Sequence, residues 1–368
     1  MILLGPSATL LSADVPFLYD GCTLRVPAQI AGKPAYLIFD TGSSVSALDK
    51  KGFLSQLGSP IAEVRSSSIV GLANLNLYRS PEILVGDVAL AADRVAAVDL
   101  STVKAISGSE CDGILGADFD RGRVVSINFD DRVLKISDTP DVGQGSPAVC
   151  LPLKSIGNGN VAVDAMVDGV PVTFMIDTGD NGSISLNQED WARIVASRGD
   201  VETHTLLATP ISGAPVETSG ARIADLTIGP NHYKGFVATA LQNSRGLSSL
   251  GLRFLRQHVV DFDFQRQKLF LRRGAAYGER EAFDMSGLHL VRLQGATVVY
   301  AVDSGSPAES AGIKPGDTIE QVNEVSADKL SLRDIRRVLK SNDGVTVLLK
   351  VRRGKEIAED RLRLRKIL

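Results

Sequence analysis

The chain has 368 residues, with 40 Lys and Arg against 43 Asp and Glu for a formal net charge of −3, and only three cysteines. The length asks for two or three domains, the balanced charge argues against nucleic acid as a partner, and Cys22, Cys111 and Cys150, without CxxC spacing, exclude a disulfide scaffold and leave at least one thiol unpaired. No apolar run reaches the ~18 residues that span a bilayer, and 35 glycines with 5% aromatics point to many short strands and tight turns.

Met1 to Leu11 is mostly apolar, and no Lys or Arg precedes Arg25. Two readings stay open: the tail of a signal peptide, or a frayed or docked terminal segment. A repeat follows. Val26 to Gly42, through Gly32, Pro34 and Asp40-Thr41-Gly42, lies on Val163 to Gly179, through Gly169, Pro171 and Asp177-Thr178-Gly179, at a constant offset of 137. Leu115-Gly116, Phe119, Val124-Val125 and Phe129 lie on Leu250-Gly251, Phe254, Val259-Val260 and Phe264 at an offset of 135. The first two thirds of the chain therefore read as two related halves.

Each half reads as strands and hairpins, one of them around Asp130-Asp131. In the second half Asn187 is positioned to cap a helix with Trp191, Ile194 and Val195 on its core face. Arg272 to Arg280 is charged, Gly-containing and aperiodic, as a linker is. A third unit then runs to the end. Ser306-Pro307-Ala308-Glu309 is a capping box that Gly312 closes, Lys314-Pro315-Gly316-Asp317 is a turn, and Ser331 caps a helix with Leu332, Ile335, Val338 and Leu339 on one face. The expected division is an N-terminal segment 1–20, a first lobe 21–147, a second lobe 148–273, a linker 274–284 and a C-terminal unit 285–368. Arg361, Arg363 and Arg365 read as one solvated face of the last strand.

The chemistry lies in the duplicated Asp-Thr-Gly. Each copy ends an apolar run, Tyr36 to Phe39 or Thr173 to Ile176, so each carboxylate is desolvated and its pKa rises unless it finds a partner. A second carboxylate from the other half supplies one. Two close carboxylates cannot both ionise, so they share a proton. The ionised member can take a proton from water while the protonated member donates to a carbonyl. Asp40 and Asp177 are the expected catalytic pair. Thr41 and Thr178 are expected to bond across the junction, Gly42 and Gly179 to allow close approach, and the Ser43 and Ser44 hydroxyls to bond the dyad. Asp180, a third carboxylate, would raise the dyad's upper pKa by repulsion or turn outward to solvent; the outward reading is preferred, because Asn181-Gly182 follows and permits a local turn. His204, His232, His258 and His289 lack metal-ligand spacing, so no metal or cofactor is expected.

These motifs resemble the aspartic proteases of the pepsin and retroviral-protease type. Asp40-Thr41-Gly42-Ser43-Ser44 and Asp177-Thr178-Gly179 match the two active-site turns, and Asp112 to Gly116 and Ser249-Leu250-Gly251 match the segments that pack beneath them. Ser306 to Asp317 is similar to the most specific stretch of bacterial PDZ domains, with Ser286-Gly287-Leu288-His289-Leu290 where a carboxylate-binding loop belongs. The combination resembles bacterial aspartyl protease–PDZ proteins. The resemblance implies a mainly β fold: a bilobal retropepsin/pepsin-like acid protease of two fused lobes, plus a small PDZ domain of strands and two helices. It implies flaps, for which Val70-Gly71-Leu72 and Ile211-Ser212-Gly213 are candidates. It implies an endopeptidase acting on a protein or peptide, with a C-terminal peptide of substrate or regulator at the PDZ domain. The alternative is a catalytically inactive peptide-binding scaffold. A monomer is favoured over a dimer because the chain carries both turns. An extracytoplasmic place, periplasmic or secreted, is favoured over the cytoplasm.

Overall fold

The computed structural model describes residues 12–68, 71–120, 122–137, 148–199, 201–208, 215–241 and 246–368. The chain folds into mainly β structure, with two lobes of the same plan and a smaller C-terminal unit. Each lobe holds a ten-stranded sheet among the described residues, and the order of equivalent strands is the same in both. In the first, Gly113–Leu115 lies between Ala47–Asp49 and Lys33–Phe39; in the second, Ser248–Leu250 lies between Ile184–Leu186 and Val170–Ile176. The strand before each Asp-Thr-Gly is less uniformly buried than its composition suggested. Tyr36 is 41% exposed and Thr173 and Met175 are half-buried, while Leu37, Phe39, Phe174 and Ile176 are fully enclosed. The sheets have two faces, and these strands alternate between them.

A third sheet of six strands joins the lobes. Ser12–Pro16, Val133–Ser137 and Val124–Asn128 come from the first half, His258–Asp263, Lys268–Arg273 and Val149–Pro152 from the second. Val124–Asn128 and His258–Asp263 pair antiparallel with Ser126 opposite Asp261, two positions that the repeat offset of 135 makes equivalent. The pseudo-twofold axis relating the halves therefore passes between them, and Ser126 Oγ donates to the Asp261 carboxylate there. One apolar core runs through both lobes, from Val15 to Leu271.

The helix expected after Asn187 is present as Gln188–Arg198, with Asn187 Oδ1 accepting from the Asp190 amide at 2.8 Å and Trp191 packed against the core. The C-terminal unit has its own core, and both expected caps form: Ser306 accepts from Glu309 N–H and Ser331 from Asp334 N–H. Arg361, Arg363 and Arg365 face solvent, as expected.

The segment 274–284 is fastened to the second lobe, and the repeat shows why. In the first lobe Asp118 accepts from Ser46 Oγ at 2.6 Å and from Ser46 N–H at 2.9 Å. The position equivalent to Asp118 is Arg253, which cannot accept. Arg253 instead pairs with Glu281 at 2.8 Å, and Glu281 Oε2 accepts from Ser183 Oγ at 2.7 Å and Val237 N–H at 2.8 Å. Ser183 is the equivalent of Ser46, so the missing carboxylate is supplied from the connecting segment. Glu281 is buried as a result.

Candidate active site

Lys33–Phe39 runs into Asp40 and Val170–Ile176 into Asp177. The segment beneath each turn accepts the backbone of its aspartate: Asp40 N–H donates to the Leu115 carbonyl and Asp177 N–H to the Leu250 carbonyl, both at 3.0 Å. A Cβ on Gly116 would meet the Ser43 carbonyl at 2.8 Å, and one on Gly251 would meet the Asp180 and Gly182 carbonyls at 2.6 Å, so both positions need glycine for room.

Thr41 and Thr178 tie the turns together reciprocally. Thr41 N–H donates to Thr178 Oγ1 at 3.0 Å and Thr178 N–H to Thr41 Oγ1 at 3.1 Å. The hydroxyls donate onward across the junction, Thr41 to the Ile176 carbonyl at 2.7 Å and Thr178 to the Phe39 carbonyl at 2.8 Å. Thr41→Val removes a buried acceptor and donor together and strands the Thr178 amide and the Ile176 carbonyl. Its expected cost is about 1–3 kcal/mol, read as a lowered Tm in calorimetry, with Thr178→Val giving a matching loss by symmetry.

The two aspartates meet on the same axis. A Cβ on Gly42 would fall 2.4 Å from Asp177 Cγ, and one on Gly179 would fall 2.5 Å from Asp40 Cγ, so each glycine lies against the opposite carboxylate. Asp40 Oδ1 accepts from the Gly42 and Ser43 amides at 2.9 and 3.0 Å; Asp177 Oδ1 accepts from the Gly179 and Asp180 amides at 2.8 and 3.2 Å. Burial raises the pKa of both. It carries Asp177 well above the usual carboxylate range, because the Asp40 and Asp180 charges add repulsion. Asp40 rises against the opposing pull of the Gly42 and Ser43 amides. The arrangement favours one proton shared between the two carboxyl groups.

Three expectations change here. Asp180 does not turn out to solvent: half-buried, it curls under the turn, where its Oδ1 accepts from Gly182 N–H and its Oδ2 from Ser249 Oγ, both at 2.7 Å. The Gly182 amide and the Ser249 hydroxyl, both donors, hold the carboxylate beneath the turn. The Ser43 hydroxyl donates to the Val45 carbonyl, not to the dyad, and Ser44 Oγ donates to Asn160 Oδ1 at 2.6 Å; the turn places backbone amides, not hydroxyls, at the Asp40 carboxylate. Asn160 was not anticipated. Its Nδ2 donates to the Thr41 carbonyl at 2.8 Å, so a second-half side chain braces the first turn, and no motif marks it.

Of the flap candidates, Val70, Ile211, Ser212 and Gly213 lie outside the described residues. Gly71 and Leu72 begin the strand Gly71–Arg79, which pairs with Ala62–Ser68 as a hairpin; His204–Ala208 and Val216–Arg222 form its counterpart. Ser286, Gly287, Leu288, His289 and Leu290 lie in the C-terminal unit, opening its edge strand Leu288–Leu293. Gly287 has φ +76°, and the Ser286 and Gly287 amides both donate to Asp284 Oδ1 at 2.8 Å. His289 Nε2 meets Asp303 at 2.8 Å.

Among the described residues no histidine bonds a hydroxyl through one ring nitrogen and a carboxylate through the other, and His204 meets only Glu202, at 3.5 Å. His258 is buried between the Phe254 carbonyl and the Tyr233 hydroxyl, and burial pushes its pKa down to about 4. His232 meets both Thr227 Oγ1 and Asp225 through the same Nδ1 atom, whereas a triad needs both ring nitrogens. Among the described residues no group of three or more His, Cys, Asp or Glu is placed to hold a metal ion. Cys22, Cys111 and Cys150 are free thiols, half-buried, buried and exposed respectively.

A family model described as aspartyl protease matches residues 26–119 and 163–254, taking in both turns, and one described as PDZ domain matches residues 298–353. Curated relatives cover smaller shares. A protein named probable periplasmic serine endoprotease DegP-like, from Chlamydia muridarum (strain MoPn / Nigg), is 29% identical over 168 residues, 41% of this chain and 33% of that protein. A protein of the same name from Chlamydia trachomatis serovar D is 28% identical over 165 residues, 40% and 32%. Tight junction protein ZO-3 of Canis lupus familiaris is 40% identical over 55 residues, 15% and 6%. The chain thus spans about a third of the length of the first two relatives it matches.

Proposed function

The chain belongs to the aspartyl protease family and carries a C-terminal PDZ domain, and from that premise we propose that it is an aspartic endopeptidase of periplasmic or secreted location. The observation that carries the mechanism is the crossed placement of the two carboxyl groups, each against the other's glycine and each held by two amides, with burial raising the pKa of both. In the proposed reaction Asp40, ionised, accepts a proton from a water bound between the carboxylates, and Asp177, protonated, donates to the carbonyl oxygen of the scissile bond. Water attacks the carbonyl carbon and the tetrahedral intermediate forms; its collapse breaks the C–N bond as Asp40 passes its proton to the leaving amine and a hydroxyl of the intermediate returns a proton to Asp177. The peptide lies extended across the junction, beside the strand pairs Ala62–Ser68 with Gly71–Arg79 and His204–Ala208 with Val216–Arg222. Two relatives are named serine endoproteases, but among the described residues no hydroxyl–imidazole–carboxylate relay supports that mechanism here.

The test is cleavage of a peptide library from acid to neutral pH. Cleavage that a serine-directed inhibitor leaves intact supports the reading; absence of cleavage at every pH favours the scaffold alternative. The pH profile carries a further expectation. Activity needs the singly protonated dyad, so it falls as pH rises through the upper pKa. Asp180 adds repulsion to both aspartates and raises that value. Asp180→Ser is expected to move the alkaline limb of the kcat/KM profile to lower pH, and a limb that stays in place would show that the Asp180 charge is not felt.

A further inference from the structure

The PDZ unit does not stand apart from the lobes. Its edge strand Leu288–Leu293 and the helix Leu332–Leu339 flank the groove in which a PDZ domain receives an added peptide strand. That groove is covered from within. The first-lobe helix Ser101–Ser107 packs along the edge strand. Arg336, on the groove helix, reaches both sides: its Nη2 donates to the Leu290 carbonyl at 2.8 Å, an edge group of the strand, and to the Ile106 carbonyl at 2.6 Å, at the end of the first-lobe helix. Its Nη1 approaches Cys22 Sγ at 3.1 Å, and the neighbouring Arg333 donates to the Tyr19 carbonyl at 3.1 Å. Gly108, which ends the first-lobe helix at φ +69°, lies against Leu332: a Cβ there would fall 3.1 Å from Leu332 Cγ.

The same unit also holds the second lobe. Asp303 accepts from Leu207 N–H at 3.1 Å, on one arm of the second hairpin, and Leu368 packs with Leu206 and Val237. The PDZ unit therefore bridges the first-lobe helix and a hairpin of the second lobe through contacts that include its peptide groove.

We propose that the first lobe is the resident ligand of the PDZ groove, and that a peptide with a free C-terminal carboxylate enters only by displacing the helix Ser101–Ser107. Arg336 is the group in dispute: it bonds the Leu290 carbonyl that an added strand engages, while bonding the lobe that excludes that strand. Ligand and lobe are competitors, so the apparent affinity for the peptide is the intrinsic affinity reduced by the undocked fraction. This inference does not depend on cleavage at the dyad, because every contact in it lies outside the two turns.

The structure supplies its own probe. Cys22 is half-buried at the seam, Cys111 is buried and Cys150 exposed, so in a full-length Cys150→Ser background a maleimide reports release of the PDZ unit through Cys22. Arg336→Ala is expected to speed Cys22 labelling at least about tenfold and to tighten binding of a pool of synthetic peptides with apolar last residues and free carboxylates by a similar factor. The amidated pool serves as control. A Gly108→Cys/Leu332→Cys pair tests the reverse, since the Cβ positions lie 3.4 Å apart, just below the ~3.5–4.5 Å span of a disulfide. Oxidation is expected to hold Cys22 protected and abolish pool binding, and reduction to restore the wild-type response. Equal pool binding by wild type, Arg336→Ala and the oxidised pair overturns the proposal. So does an Arg336→Ala protein whose Cys22 stays as protected as in wild type, or whose groove, once Cys22 is released, still takes no free-carboxylate peptide.

Discussion

Asp40→Asn is expected to lower kcat by about 10³-fold or more while leaving the fold intact. The Asn Oδ1 can still accept from the Gly42 and Ser43 amides that hold Asp40 Oδ1 at 2.9 and 3.0 Å, so the turn keeps its geometry. What is lost is the group that takes the proton from water. Asp177→Asn is expected to cost a similar factor for a different reason, since an amide cannot protonate the carbonyl oxygen as an acid does. The two variants are expected to be as inactive together as either alone, because the dyad acts as one unit and losses within such a unit do not add. Library cleavage with purified proteins of matched circular dichroism checks this. Activity that survives Asp40→Asn would refute the dyad.

The second expectation concerns stability. Glu281→Ala removes a buried carboxylate that accepts from Ser183 Oγ and Val237 N–H and pairs with Arg253, leaving a guanidinium and two donors short of a partner. Arg253 is 27% exposed, so water recovers part of the loss. The expected cost is about 2–4 kcal/mol, a fall in Tm of roughly 5 °C or more measurable by calorimetry. Arg253→Leu with Glu281→Gln is expected to recover part of it, because the guanidinium and the charge are removed together while an acceptor for Ser183 remains. A Tm for Glu281→Ala equal to wild type would mean that the connecting segment is not part of the second lobe.

Much of this was legible in the residues. The offset of 137 between the Asp-Thr-Gly turns placed two carboxylates in equivalent frames, and close approach needs the glycines that follow them. The caps at Asn187, Ser306 and Ser331 were readable because a short polar side chain before an apolar helix face has one local use. What escaped depends on contacts between distant segments. Asn160 has no local pattern, since its partner, the Thr41 carbonyl, is 119 residues away. Asp180 was misjudged because its acceptor role is set by Ser249, which no spacing rule connects to it. The Glu281 exchange left a trace that could have been followed: Arg253 stands where the repeat has Asp118, and a missing carboxylate implies a substitute. The seam between the first lobe and the PDZ groove left none, since no motif or spacing connects helix Ser101–Ser107 with Arg336, 230 residues from the Ile106 carbonyl it bonds.

The joining sheet has a consequence for synthesis on the ribosome. Val124–Asn128 is complete long before its neighbour His258–Asp263, which lies 135 residues later. At roughly 5–20 residues per second the first half waits about 7–27 s with a central strand edge open. The strand it waits for is its own repeat, so an unfinished first half offers an edge that another unfinished first half can pair with in the same register. Neighbouring ribosomes on one message would carry such edges close together, and the pairing that completes the protein in one chain would there knit two chains into an aggregate.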